Sequence, residues 1–103
     1  MIIIGVDPGT ARMGYGVVEK IKGKKTKLLE SDTLITTPKL EVQDRLNFLY
    51  NRLTKVVKKY KPDVMVIEML FFNTNAKTAI SVGQARGIIM LVASKRKIKV
   101  FEY

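Results

Sequence analysis

Ile2-Ile3-Ile4-Gly5-Val6-Asp7-Pro8-Gly9-Thr10 decides the fold: a nearly unbroken apolar run that ends in an acid and a turn. Continuous apolar runs mark strands covered on both faces, the pattern of parallel pairing. Pro8 fixes φ and removes a backbone donor while Gly9 allows a positive φ, so the chain reverses directly after the carboxylate. Asp7 is left at the strand's tip. Asp63 to Met69, Asp-Val-Met-Val-Ile-Glu-Met, is a second apolar run ending in an acid. A strand–helix–strand connection allows this run to lie parallel to the first in one sheet. As neighbours, the two strands set Asp7 beside Glu68 at their carboxyl ends, where open α/β sheets place their ligands.

Outward from this pair, Gly14 to Ile21 alternates in character, and Lys22-Gly23-Lys24-Lys25 makes a turn before a strand at about Lys27 to Thr36. The hairpin tip collects Lys22, Lys24 and Lys25, with Lys20 and Lys27 beside them, either as a solvated end or as a phosphate contact. Between Glu41 and Tyr60, the residues Val42, Leu46, Leu49, Tyr50, Leu53, Val56, Val57 and Tyr60 recur at steps of three and four, one stripe of a core-facing helix. Thr36-Thr37-Pro38 stands where a cap is expected, and Pro62 ends the helix. Asn75, a good N-cap, starts a second helix that runs to about Arg96. On it Ala79, Gly83 and Gly87 are four apart and line one face, open either to close packing on the chain's own sheet or to a subunit contact. Lys97 to Tyr103 reads as a fifth strand. The order β-β-β-α-β-α-β describes an α/β fold in one domain, residues 1–103, with a mixed five-stranded sheet.

The 103 residues include 19 Lys and Arg against nine Asp and Glu, a formal charge of +10, and no His, Cys or Trp. Disulfide scaffolds, zinc clusters, Ser-His-Asp triads and Cys nucleophiles are thereby excluded within this chain. No window has the roughly 18 to 20 apolar residues of a membrane span, so a soluble, cytoplasmic protein is expected. An apolar content of 47% argues for a folded core, and the positive charge favours a polyanionic partner, nucleic acid first. Two acids at adjacent strand tips repel one another unless a proton, a basic side chain or a divalent cation relieves them. Carboxylates without His or Cys are hard oxygen ligands that select Mg²⁺ or Mn²⁺. A pair of such ions can drive phosphodiester hydrolysis without a protein base.

Ile4-Gly5-Val6-Asp7-Pro8-Gly9-Thr10 with Gly14-Tyr15-Gly16-Val17, then Val66-Ile67-Glu68, Val82-Gly83-Gln84-Ala85-Arg86-Gly87 and Val100-Phe101-Glu102-Tyr103, resemble RuvC-type Holliday-junction resolvases. These are endonucleases with the ribonuclease-H-like fold, and the resemblance runs from end to end of the chain. It implies a homodimer that binds four-way junction DNA and nicks two opposed strands with Mg²⁺, two ions in the complete enzyme, alongside the RuvA and RuvB proteins. It implies that Asp7 and Glu68 are metal ligands and catalytic residues, and that Phe71 stacks on bases at the junction. Phe72, Asn75 and Arg86 join the candidate DNA contacts with the hairpin lysines; for Arg86, bracing an acidic cluster or forming an ordinary ion pair are alternatives. The family's dimer contact is associated with the helix that carries Ala79, Gly83 and Gly87.

Resolvases of this type carry their remaining acidic ligands in a helical portion after the fifth strand. The chain therefore looks like the N-terminal core of such an enzyme, with about half of the metal cage and little expected activity by itself. The rival reading is a catalytically silent module that binds branched DNA or dimerises. A fragment of an actin-like ATPase rests on Asp7-Pro8-Gly9-Thr10 alone, and the later motifs argue against it.

Overall fold

In a computed structural model that describes residues 1–69 and 75–103, the first apolar run is strand β1, Ile2–Asp7. It is followed by β2 (Arg12–Glu19), β3 (Lys27–Ile35), α1 (Val42–Tyr60), β4 (Val64–Ile67), α2 (Ala76–Lys95) and β5 (Lys99–Glu102). The sheet order is β3-β2-β1-β4-β5. The first three strands are an antiparallel meander, whereas β4 runs parallel to both β1 and β5. The expected mixed sheet with two helical crossovers is present, and β1 is its central strand.

Alternation along the strands shows which face is covered. Ile4, Val6, Met13, Tyr15, Val17, Met65 and Ile67 are buried under the helices together with Leu49, Leu53, Val56 and Val57 of α1 and Ala85, Ile89, Val92 and Ala93 of α2. Each fully buried aliphatic side chain is worth roughly 1.5–3 kcal/mol, so this single layer of contacts carries the fold. Both helices lie on the same side and pack on each other. Among the described residues no helix covers the other face, with Ile3, Gly5, Gly16, Val64, Val66 and Phe101 in register across its strands.

The structure settles three local points. Gly9 does not take a positive φ; Gly23, at the hairpin tip, does (φ 77°). Gly9 is instead required by space, because a Cβ there would stand 2.2 Å from the Arg12 carbonyl oxygen. Neither Thr36 nor Thr37 caps α1: Glu41 occupies the cap position without a side-chain bond, and Thr36 is used elsewhere. The small residues of α2 do not pack on the chain's own sheet. Ala79, Gly83 and Gly87 are exposed, and the Cβ of an alanine at either glycine would meet nothing within 4 Å. Ile80 and Leu91, on the same side of α2, are 62% and 46% exposed. Thus α2 is apolar on two faces, one of which is free in this chain. Asn75 caps α2 as expected, its side-chain oxygen accepting from the Lys77 N–H at 3.0 Å.

At the edge of the covered face, Glu30 on β3 accepts from the Tyr15 hydroxyl at 2.5 Å and from the Tyr60 hydroxyl at 2.8 Å, with Lys59 at 3.5 Å. The two phenol donors, then Lys59, hold the Glu30 carboxyl below the usual carboxylate range. Burial and then the Glu30 charge push the Tyr15 phenol above its usual range. This network ties β2, β3 and the C-terminal turn of α1 together.

Candidate metal-binding active site

Parallel pairing brings the two terminal acids level. Val6 lies opposite Ile67, and the Glu68 N–H continues the ladder to the Val6 carbonyl at 3.0 Å. Neighbouring strands run about 4.8 Å apart, so Asp7 and Glu68 project from adjacent backbones at one sheet edge. Their parity puts both on the uncovered face: Gly5 pairs with Val66 there, and Asp7 and Glu68 lie one alternation further along. Asp7 is exposed and Glu68 half-buried.

The pair borders a shallow depression of about 280 Å³ also lined by Gly5, Gly14, Gly16, Val66 and Tyr103. Three glycines without side chains produce the hollow. Gly5 and Gly16 are direct cross-strand partners, and Gly14 pairs with Asp7, where an added Cβ would come 3.8 Å from the Asp7 Cβ. Sequence reading did not assign this floor, although its signal was visible as glycines at alternating positions 14 and 16 with a third in the facing strand. Tyr103 joins through the backbone: its carbonyl accepts from the Met69 N–H at 2.7 Å and its N–H donates to Ile67 at 3.2 Å.

As a ligand set, the pair has the right chemistry for a hard divalent cation and is incomplete for one. Two carboxylates supply oxygen donors from rigid strand ends, and an ion of octahedral preference would keep several waters. Among the described residues no group of three or more acids, His or Cys converges.

The remaining candidates are distributed more widely than the sequence suggested. Arg86 donates through Nε to Glu102 Oε1, an ion pair between α2 and β5 that raises the Arg86 pKa and lowers that of Glu102. Lys22, Lys24 and Lys25 are exposed at the hairpin tip. That tip follows Glu19, the partner of Ile2, and so stands at the opposite end of β1 from Asp7. Six residues of strand separate the two ends by roughly 20 Å. Phe71 and Phe72 lie outside the described residues. Basic side chains that do stand at the acid end were missed: Arg12 begins β2, and Arg45 and Lys77 line a cavity of about 480 Å³ with Thr10, Val42, Ile80 and Gln84.

Comparison with known proteins identifies the fold and the family. The family model described as crossover junction endodeoxyribonuclease RuvC matches residues 3–103. Proteins of that name from Halothermothrix orenii and Desulforamulus reducens are 47% and 50% identical over the whole chain. The chain spans 62% and 63% of their lengths. Thermus thermophilus RuvC in complex with a Holliday junction substrate superimposes with a TM-score of 0.93 at 28% identity, over all of this chain and 62% of that one. A fowlpox virus resolvase, 20% identical with a TM-score of 0.61, shares the fold. The fold reading and the resemblance are both borne out: the chain belongs to the RuvC family of crossover junction endodeoxyribonucleases.

Proposed function

We propose that the chain is the sheet core of a structure-selective endodeoxyribonuclease that resolves four-way DNA junctions by metal-dependent phosphodiester hydrolysis. The observation that carries this is the level placement of Asp7 and Glu68 on the uncovered face of a chain with charge +10. The two carboxylates would hold a hard cation, Mg²⁺ or Mn²⁺, with two ions in the full-length enzyme. Such ions supply an activated water and neutralise the leaving oxygen. The residues of this chain do the rest by placement: β1 and β4 present the ligands from rigid ends, and the Gly5-Gly14-Gly16 floor leaves room for a phosphodiester close to them.

The hairpin lysines then serve the substrate away from the cut. At about 3.4 Å per base pair, the roughly 20 Å between hairpin tip and acid pair is about six base pairs of duplex, the right reach for contacts along one arm. The exposed Ile80, Gly83, Gly87 and Leu91 stripe of α2 is the subunit contact of a homodimer, which would present two acid pairs to two opposed strands. RuvA and RuvB are the proposed partners through family membership, and the cytoplasm the proposed location.

With two carboxylates an ion is held mainly by water, so cleavage by this chain alone is expected to be weak. The test is a gel assay on a synthetic four-way junction and a linear duplex, with and without Mg²⁺, using this chain and the full-length protein. In the full-length protein, Asp7→Asn should abolish cutting and leave junction binding intact. Substantial Mg²⁺-dependent nicking by that variant would refute the assignment. Junction binding without nicking by the full-length protein would favour the silent binding module, a reading supported by the absence of a third converging acid among the described residues.

A further inference from the structure

The turn after Asp7 is anchored from two sides by buried hydroxyls. Thr10 and Thr36 are each 5% exposed, the two buried polar side chains of the described core. Thr10 Oγ1 donates to the Ser81 carbonyl of α2 at 2.9 Å. Thr36 Oγ1 donates to the Thr10 carbonyl at 2.7 Å and accepts from Arg45 Nε of α1 at 2.9 Å. The Thr36 N–H donates to the Ala11 carbonyl at 3.0 Å, the one backbone bond of residues 8–11 outside the strand ladders among the described residues. Two sets of bonds thus meet at Thr10: a relay from a guanidinium on α1 through the Thr36 hydroxyl just past β3 to the Thr10 carbonyl, and a separate bond from the Thr10 hydroxyl to α2.

This arrangement does more than fill space. Pro8 has no N–H to give, and among the described residues the turn makes no further backbone bond outside the strand ladders, so the hydroxyls hold it. The cationic donor Arg45 polarises the Thr36 hydroxyl and makes its bond to the Thr10 carbonyl stronger than a neutral one. Asp7 lies three residues from Thr10 across a turn whose close approach to Arg12 leaves no space for slack. Divalent-ion coordination tolerates little displacement, since Mg²⁺ demands oxygens at 2.0–2.1 Å.

We propose that Thr10, Thr36 and Arg45 are positioning residues for Asp7, fixing the turn against α1 and α2 so that its carboxylate faces Glu68 in a cation-binding arrangement. The proposal rests on the reading of Asp7 and Glu68 as ligands. It is tested by titrating the ¹⁵N-labelled chain with Mn²⁺ and following paramagnetic broadening at the Asp7 and Glu68 amides, beside thermal unfolding of each variant. Thr36→Val, which keeps the shape and removes the hydroxyl, should weaken Mn²⁺ binding by up to about tenfold, the lower end of the loss when a hydrogen bond to a ligand itself is removed. Thr36→Ser should restore it. A lowered melting temperature in Thr36→Val with unchanged Mn²⁺ affinity overturns the positioning role. Broadening undiminished in Asp7→Asn overturns the ligand reading and the proposal with it. Should Thr36→Val not fold, Arg45→Met, which removes the donor at the partly exposed end of the relay, is judged by the same two criteria.

Discussion

Replacing Gly9 by alanine should cost this chain far more than the same change at any other glycine of the sheet. The added Cβ would stand 2.2 Å from the Arg12 carbonyl oxygen and 3.4 Å from its carbon, and both are backbone atoms. A comfortable carbon–oxygen contact needs about 1 Å more, so the turn must open by that amount. The bonds from Thr10 to Ser81 and from Thr36 to Thr10, at 2.9 and 2.7 Å, span this turn and would stretch to or beyond hydrogen-bonding distance. Overpacking of this kind costs about 1–3 kcal/mol, and each weakened bond adds about 1 kcal/mol. For a domain of this size a loss of a few kcal/mol lowers the melting temperature by roughly 10 °C or more. Circular dichroism melts of Gly9→Ala against Gly16→Ala provide the measurement, because an added Cβ at Gly16 meets nothing within 4 Å. A Gly9→Ala melting temperature within about 3 °C of the parent would refute the reasoning, since a turn that yields so easily is not held by its hydroxyls.

Gly83→Ala and Gly87→Ala should each stabilise the folded chain by about 0.5–1 kcal/mol in chemical denaturation, yet weaken self-association in sedimentation, if that stripe is the subunit contact. Because the Glu30 carboxyl is held below its ordinary range, its contribution to stability is full at neutral pH and is lost as pH falls through the carboxylate range; Glu30→Gln should flatten that acid limb of melting temperature against pH. The raised Tyr15 phenol works in the opposite direction: its contribution is full below about pH 10 and is lost above it, and Tyr15→Phe should remove that alkaline decline. Junction affinity should fall with salt at a slope of about −0.9 per phosphate contacted, and replacing Lys22, Lys24 and Lys25 together by Gln should make the slope shallower; an unchanged slope would remove the hairpin from the interface.

The elements themselves were readable because each had one dominant signal. The Asp63 to Met69 run is too short and too apolar for a helix, and the three- and four-residue spacing from Val42 to Tyr60 suits no strand. Boundaries moved by a residue or two, as at Lys97 and Ile98, which precede β5 without pairing in it. Gly9 and Thr36 depart from their local preferences for a common reason. Both are residues with a strong local preference, for positive φ and for helix capping, and in both the long-range contact prevails: the Arg12 carbonyl for Gly9, and Thr10 with Arg45 for Thr36. Local propensity is a weak guide where a side chain or its absence serves a partner distant in sequence.

The acid pair was legible for a different reason, one of parity. Parallel neighbours ending on the same edge bring their last residues level whatever the intervening sequence does, so two apolar runs ending in acids were enough to join Asp7 to Glu68. Which face they would share was not readable, because Ile3, Val64 and Val66 on the uncovered side are as apolar as Ile4, Met65 and Ile67 on the covered one. The distinction lay in the glycines. A covered face needs side-chain volume to fill the space beneath the helices, and three glycines clustered in facing strands, at positions 5, 14 and 16, are incompatible with a packed layer there. A hollow beside two carboxylates is what their clustering makes instead, and the same three positions that weaken the strands open the space that the proposed phosphodiester would occupy.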